Sequence, residues 1–112
     1  MPLELRYEKC RLTAALRGEI DHHSAAFLRG EIDQALAKLR PPLLTLDFDG
    51  VTFMDSSAVG LVMGRFKALG AWGGALEVVG LSPAAYRVMR LSNLQSLAKL
   101  KQKTQEKERS GV

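Results

Sequence analysis

The chain has 112 residues, of which 46% are apolar and 25% charged, and its formal net charge is +4. This length suits one domain with a single core, and the mixture of apolar and charged residues argues against a disordered or fibrous chain. No apolar run approaches the roughly 20 residues that span a membrane, and the first residues lack the apolar region of a signal peptide. We therefore expect one globular domain in the cytoplasm.

Most of the excess positive charge lies near the end of the chain, where residues 99–109 contain five basic and two acidic residues. This segment has neither the interleaved aromatic residues of a nucleic-acid site nor the apolar face of a membrane-surface helix. We therefore expect no nucleic-acid partner and no membrane partner. The sequence predicts a domain over residues 1–98, followed by a basic and partly disordered tail over residues 99–112.

Two segments with apolar residues at every second position open the domain. Residues 3–7 and residues 12–16 both show this alternation, which predicts two strands that pair as a hairpin. Cys10 lies between them and is the only cysteine, so it cannot form an internal disulfide. Its place in an alternating segment predicts a small residue of the core.

A helix is predicted after the hairpin, with Ser24 and Asp21 as alternative N-caps. Pro41 and Pro42 end it, because neither donates a backbone hydrogen bond. Residues 43–48, LLTLDF, are mostly apolar and predict a central strand covered on both faces. The apolar stripe of the helix consists of Leu28, Ile32, Ala35, Leu36 and Leu39.

The second half of the chain continues the alternation of helices and strands. A second helix ends at Gly70, a short strand covers residues 75–79, and Ser82 with Pro83 begins a third helix. A final strand is placed around residues 97–100. Strands that alternate with helices predict a single α/β domain with a mixed, mostly parallel sheet. The second helix is predicted to bury Val59, Val62, Met63, Phe66 and Leu69.

The turn before the second helix carries one carboxylate and two hydroxyls, in Asp55, Ser56 and Ser57. All three residue types commonly cap helices, so the residues alone favour capping over function. A serine at the start of a helix also lies beside unpaired backbone N–H groups and the positive end of the helix dipole, a setting that suits an anion.

Three other functional interpretations, which use the aspartates, Ser57 and the histidines, are weaker. Asp47, Asp49 and Asp55 do not have the spacing of the acidic magnesium pocket of a response-regulator receiver. Hydrolase activity at Ser57 is not favoured, because the elbow motif G-x-S-x-G is absent. The adjacent histidines, His22 and His23, make a poor metal site without further ligands, so we expect no metal. Trp72 is expected to be a partly exposed aromatic residue in a turn.

Two segments resemble a known family. VTFMDSSAVGLVMGRFKALGAWGGALEVVGLSPAAYRVMRLSNL at residues 51–94 is similar to the core of the STAS-domain anti-sigma factor antagonists, in particular their sporulation branch. GEIDHHSA at residues 18–25 is similar to the loop that precedes the first helix in that branch. The resemblance covers about residues 16–95.

The resemblance implies a partner-switching protein that is not an enzyme. In that family the unphosphorylated protein binds an anti-sigma factor that is also a serine kinase, and a sporulation sigma factor is released. The kinase then phosphorylates the second serine of the DSS motif, here Ser57, and a serine phosphatase resets the cycle. The kinase supplies the nucleotide and magnesium, so no cofactor is expected, and we expect a monomer when the protein is free.

The resemblance also implies a binding surface formed by two loops at the same end of the sheet. Asp21 corresponds to the aspartate of the family's GELD-type motif. Two departures are visible: Ala58 stands where glycine is usual, and residues 94–112 do not resemble the family's last strand and helix. A STAS module of another stress or sensory pathway, or one that senses a nucleotide or lipid, remains an alternative. The implied partner-binding residues are Asp21, His22, Asp55, Ser56, Ser57 and Ala58.

Overall fold

The computed structural model describes residues 1–103. Its five strands form one sheet in the order β1-β2-β3-β4-β5, in which β1 is antiparallel to β2 and all other neighbours are parallel. This confirms the predicted α/β fold with a mixed, mostly parallel sheet and the central position of β3. The elements are β1 (Leu3–Glu8), β2 (Arg11–Ile20), α1 (His22–Leu39), β3 (Leu43–Met54), α2 (Ser57–Leu69), β4 (Ala75–Leu81), α3 (Pro83–Leu91), a short 3-10 helix (Leu94–Ser96) and β5 (Lys99–Gln102).

The predicted hairpin of β1 and β2 is confirmed, and a two-residue turn joins its strands. Lys9 and Cys10 both have positive φ, 53° and 63°, which is the geometry of the type I′ turns that fit the twist of hairpin strands. Cys10 is exposed. The prediction that it is a core residue is wrong, because the residue lies in the turn and not in either strand.

The three helices cover one face of the sheet. Right-handed crossovers between strands in consecutive order place every helix on the same side. The core lies there, with Leu44, Leu46 and Phe48 of β3 buried. On the opposite face the Thr45 hydroxyl donates to Glu77 Oε2 at 2.8 Å. The prediction that β3 is covered on both faces is therefore wrong, because one face is lined by polar side chains.

The predicted stripe of α1 faces the core, with Leu28, Ile32 and Leu36 buried. The buried face of α2 differs from the prediction, because Met63 is 39% exposed and Leu61 is buried instead. Residues 58–63 are apolar on most sides of the helix, so helical spacing alone fits more than one face. The buried residues of α2 are Ala58, Leu61, Val62, Arg65 and Leu69.

One buried ion pair joins α1 to α2. Arg65 is 4% exposed, and its Nε lies 2.9 Å from Oδ1 of Asp33, whose side chain is 42% exposed. The guanidinium also donates from Nη2 to Asp33 Oδ2 at 3.3 Å. Burial lowers the pKa of Arg65, and the Asp33 carboxylate opposes that shift. The pair links the two helices that begin at the functional loops described below.

Trp72 anchors the turn between α2 and β4. Its side chain is half-buried, and Nε1 donates to the carbonyl oxygen of Pro41 at 2.7 Å. The guanidinium carbon of Arg40 lies 5.1 Å from the centre of the indole ring, within the range of a cation–π contact.

The end of the described chain belongs to the domain. The last strand begins two residues later than predicted, so residues 99–102, which were assigned to the tail, pair with β4. Lys103 continues this attachment, because its N–H donates to Leu81 O at 2.8 Å and its Nζ donates to Asp49 O at 2.9 Å. The rest of the predicted tail lies outside the described residues. Within residues 1–103, no helix is long and apolar enough to cross a membrane.

Candidate functional site

The two loops singled out in the sequence meet at one edge of the sheet. Ile20, the last residue of β2, is the register partner of Met54, the last residue of β3. The Asp55 N–H donates to Ile20 O at 3.1 Å, which joins the two chain segments where they leave the sheet. Asp21 and Asp55 therefore begin neighbouring turns, as predicted. This is the carboxyl edge of the parallel strands, where open α/β sheets bind ligands.

Asp55 caps the second helix. Its Oδ1 accepts a hydrogen bond from the Ser57 N–H at 2.8 Å, which forms an Asx turn, and its carbonyl oxygen accepts from the Ala58 N–H at 3.1 Å. Ser56 has the N-cap position but makes no side-chain capping bond. Neither serine hydroxyl makes a hydrogen bond within residues 1–103. Asp55 alone therefore accounts for capping, and the two hydroxyls have no structural task here.

Ser57 is half-buried and is the first residue of α2, whereas Asp55 and Ser56 are exposed. The positive end of the helix dipole lies at this point. The N–H groups of Ser57 and Ala58 both donate to Asp55, and the Val59 N–H donates to Ser56 O at 3.1 Å. The expectation of unpaired donors is therefore wrong for these three residues, and the helix dipole is the feature they leave to favour an anion.

Asp21 is the N-cap of α1 and forms a reciprocal capping box with Ser24. Asp21 Oδ1 accepts from the Ser24 N–H at 2.9 Å, and the Ser24 hydroxyl oxygen accepts from the Asp21 N–H at 2.9 Å. The hydrogen bond from the Ser24 backbone lowers the pKa of Asp21. His22 and His23 follow in the first turn, both exposed, with ring centres 6.0 Å apart.

The capping box predicts different effects on thermal stability for two substitutions of Asp21. Asp21→Ala should lower the melting temperature by several degrees, whereas Asp21→Asn should change it little, because asparagine caps helices about as well as aspartate. The lowered pKa means that the carboxylate's stabilising effect is complete at neutral pH. It is lost as the pH falls through the folded-state pKa, which lies below the ordinary value of an aspartate. Any advantage of wild type over Asp21→Asn should vanish there in thermal unfolding, and a constant advantage down to pH 2 would contradict this account.

Ala58 cannot contact a docked partner through its side chain, because that side chain is fully buried against the core. It follows Ser57 on α2, but its side chain faces the core whereas Ser57 is half-buried. We therefore withdraw Ala58 from the predicted partner-binding residues.

Ala58→Gly should destabilise the fold by about 1–2 kcal/mol in chemical unfolding. Glycine costs about 1 kcal/mol in a helix interior, and removing a buried methyl costs about 0.8 kcal/mol. Gly60→Ala is the matched control, since space is open around Gly60 and the change should stabilise the same helix. A loss no larger than that of an alanine-to-glycine change at an exposed helix position would show that the methyl group does not contribute to packing.

The acidic residues near this edge do not form a cation site. Asp47 Oδ1 accepts from the Asp49 N–H at 3.0 Å, and Lys103 Nζ lies 3.9 Å from Asp49 Oδ1. In the described part of the chain, no group of three or more His, Cys, Asp or Glu side chains is arranged to hold a metal ion.

An apolar groove of about 250 Å³ adjoins the Asp55 turn. It forms because β3 continues to Met54, while its pairing with β4 ends at Asp47 and Val79. Phe53 is 57% exposed and Val88 40% exposed at the two walls. The sequence did not predict this groove, because the predicted strand ends at residue 48 whereas β3 continues to Met54. The lining residues are Phe48, Val51, Thr52, Phe53, Met54, Ser82, Ala84, Ala85 and Val88.

Comparison with known proteins identifies the family of this fold. The STAS domain family matches residues 6–107. An anti-sigma F factor antagonist of Paenibacillus polymyxa is 30% identical over 94 residues, 84% of this chain and 80% of that protein. An anti-sigma-B factor antagonist of Bacillus subtilis is 30% identical over 90 residues, 80% of this chain and 81% of that protein.

Solved structures agree with these sequence relatives. The anti-sigma factor antagonist SpoIIAA in its unphosphorylated form has a TM-score of 0.78 and 29% identity, covering 98% of this chain and 97% of that one. Its phosphorylated form, from Bacillus, has a TM-score of 0.72 and 29% identity, covering 97% and 96%. The chain therefore belongs to the STAS domain family.

Proposed function

We propose that this protein is an anti-sigma factor antagonist that binds an anti-sigma factor through the Asp21 and Asp55 loops. The observation that carries the proposal is the turn of α2, where Asp55 does all the side-chain capping and the hydroxyls of Ser56 and Ser57 remain unengaged within residues 1–103. Relatives that cover most of the chain are named as such antagonists. The protein acts as a regulatory binding protein in the cytoplasm and not as an enzyme.

The proposed switch is phosphorylation of Ser57 by the anti-sigma factor, acting as a serine kinase, and removal of the phosphate by a serine phosphatase. Support comes from the position of Ser57 at the positive end of α2 and from a similar structure described in a phosphorylated form. The kinase brings the nucleotide and its metal, so the chain itself holds no cofactor.

Phosphorylation inactivates the protein by blocking the interface and not by unfolding the domain. The helix dipole stabilises an anion by about 0.3–1 kcal/mol, so the phosphate is tolerated in the free protein. A closed interface removes water from a group with about −1.5 to −2 charge and from the neighbouring Asp55 carboxylate, and like charges without that screening cost several kcal/mol. The interface effect is larger, so the phosphorylated form stays folded and releases its partner.

The pathway we propose is sporulation, with release of a sporulation sigma factor. The relatives carry both sigma-F and sigma-B names, so another stress or sensory pathway is the competing assignment. Genes for the sigma factor and its kinase beside this one would support sporulation, whereas a neighbouring sensor or transporter gene would support the competitor.

The acceptor is tested by incubating the purified protein with the candidate kinase and ATP and locating the phosphate by mass spectrometry. We expect phosphate on Ser57, none on Ser57→Ala, and normal labelling of Ser56→Ala. Phosphate on Ser56 with Ser57 unmodified would overturn the assignment.

The apolar groove favours a second candidate, a ligand-sensing STAS module. Its walls suit an acyl chain better than a nucleotide, because they offer few polar groups. A rise in the melting temperature with palmitate that Val88→Glu abolishes would support this candidate, and an unchanged melting temperature would exclude it.

A further inference from the structure

Among residues 1–103, β1 pairs only with β2, so the other side of β1 is an open edge of the sheet. A contact at the start of β1 shows which of its backbone groups face that edge. Arg17 N–H donates to Pro2 O at 2.9 Å, so Pro2 belongs to the residues whose backbone groups face β2. Backbone groups alternate along an antiparallel strand. The N–H and C=O groups of Leu3, Leu5 and Tyr7 therefore point out of the sheet at the open edge.

The charges on this strand alternate in sign. Glu4, Arg6 and Glu8 lie on the polar face of the sheet, opposite Ala15, Thr13 and Arg11. Proteins commonly protect an open edge with charged side chains that repel another strand. A row of one sign repels in every register, whereas alternating signs permit a register in which opposite charges meet.

Two symmetric antiparallel registers of two β1 strands place opposite charges face to face. The register centred on Tyr7 pairs Arg6 with Glu8 but places Leu5 opposite Lys9, which lies in the turn and outside β1. The register centred on Leu5 uses more of the strand. With Leu5 opposite Leu5 of a second copy, Glu4 of each chain faces Arg6 of the other, and Leu3 faces Tyr7. The outward backbone groups of these apolar residues then exchange hydrogen bonds in pairs. A register centred on Arg6 places arginine opposite arginine and Glu4 opposite Glu8, which is unfavourable.

The same pairing covers exposed apolar surface. Leu5 and Tyr7 are 38% and 43% exposed and lie on the helix side of the sheet, because their register partners are the buried residues Ala14 and Leu12. A two-fold axis perpendicular to the sheet brings these side chains from both copies together.

We propose that the partner of this edge is a second copy of the chain, joined β1 to β1 in the register centred on Leu5. The two sheets then form one continuous sheet. The Asp21 and Asp55 turns stay accessible, because they follow the far ends of β2 and β3. This replaces the monomer expected from the sequence, and it is independent of the proposed function.

Sedimentation equilibrium of the full chain tests the proposal. The mass should rise from 12.3 kDa toward twice that value as the concentration increases from about 10 µM to about 1 mM, the range expected for a small interface. Arg6→Glu should weaken the association at least about 10-fold, because it places like charges opposite each other. Combining Glu4→Arg with Arg6→Glu should restore association, because opposite charges face again.

Arg87→Glu, an exposed change on α3, is the control for net charge and should leave association unchanged. Circular dichroism establishes that each variant is folded. A wild-type mass of 12.3 kDa at every concentration would overturn the proposal. Association that Arg6→Glu leaves unchanged, or that the double exchange fails to restore, would overturn the register.

Discussion

Ser57→Asp is expected to weaken binding of the anti-sigma partner about 100-fold in isothermal titration calorimetry, while Ser57→Ala keeps nearly full affinity. The aspartate adds a negative charge beside Asp55, whose carboxylate already lies 2.8 Å from the Ser57 nitrogen. Like charges brought together in an interface cost several kcal/mol, and about 3 kcal/mol corresponds to this loss of affinity.

Ser92→Asp is the matched control for this prediction. It adds the same charge at an exposed position after α3, outside the two loops, where solvent screens it, so the expected loss is much smaller. Equal losses for Ser92→Asp and Ser57→Asp would indicate a general effect of net charge, and no loss for Ser57→Asp would contradict the proposed interface.

Asp33→Ala is expected to destabilise the fold by about 2 kcal/mol in denaturant unfolding, because it leaves the buried guanidinium of Arg65 without a countercharge. Loss of one member of a fully buried pair costs about 3–5 kcal/mol, and the partial exposure of Asp33 reduces this value. Arg65→Met should change stability by less than about 1 kcal/mol, because the remaining Asp33 carboxylate is accessible to water.

The asymmetry between these two substitutions is the informative result. If Arg65→Met is as destabilising as Asp33→Ala, the attraction between the charges stabilises the fold more than burial of the guanidinium opposes it. Circular dichroism at low denaturant shows whether both variants retain their helices, and the double substitution measures the coupling between the two side chains.

The sequence predicted the parts of this fold that follow from periodicity and local chemistry. The stripe of α1, the Ser82 and Pro83 start of α3 and the central place of β3 all depend on residues near one another in the chain. The convergence of the Asp21 and Asp55 loops was also predictable, because parallel neighbouring strands end at the same edge.

Features that depend on tertiary packing were not predictable in the same way. The buried face of α2 is selected by its neighbours, since its first two turns are apolar on most sides. The burial of Ala58 and the use of Asp55, rather than a serine, as the cap both required the positions of β2 and β3. The alternating lysines of β5 are typical of a solvated tail, and only the pairing with β4 shows that this segment is a strand.

The most direct test of the central claim is release of the sigma factor from its complex with the anti-sigma partner. Fluorescence anisotropy of a labelled sigma factor follows this release as the protein is added. We expect unmodified protein to lower the anisotropy to that of free sigma factor, and protein phosphorylated on Ser57 to have no effect at the same concentration. Unchanged anisotropy with the unmodified protein, or equal release by both forms, would contradict the proposed switch.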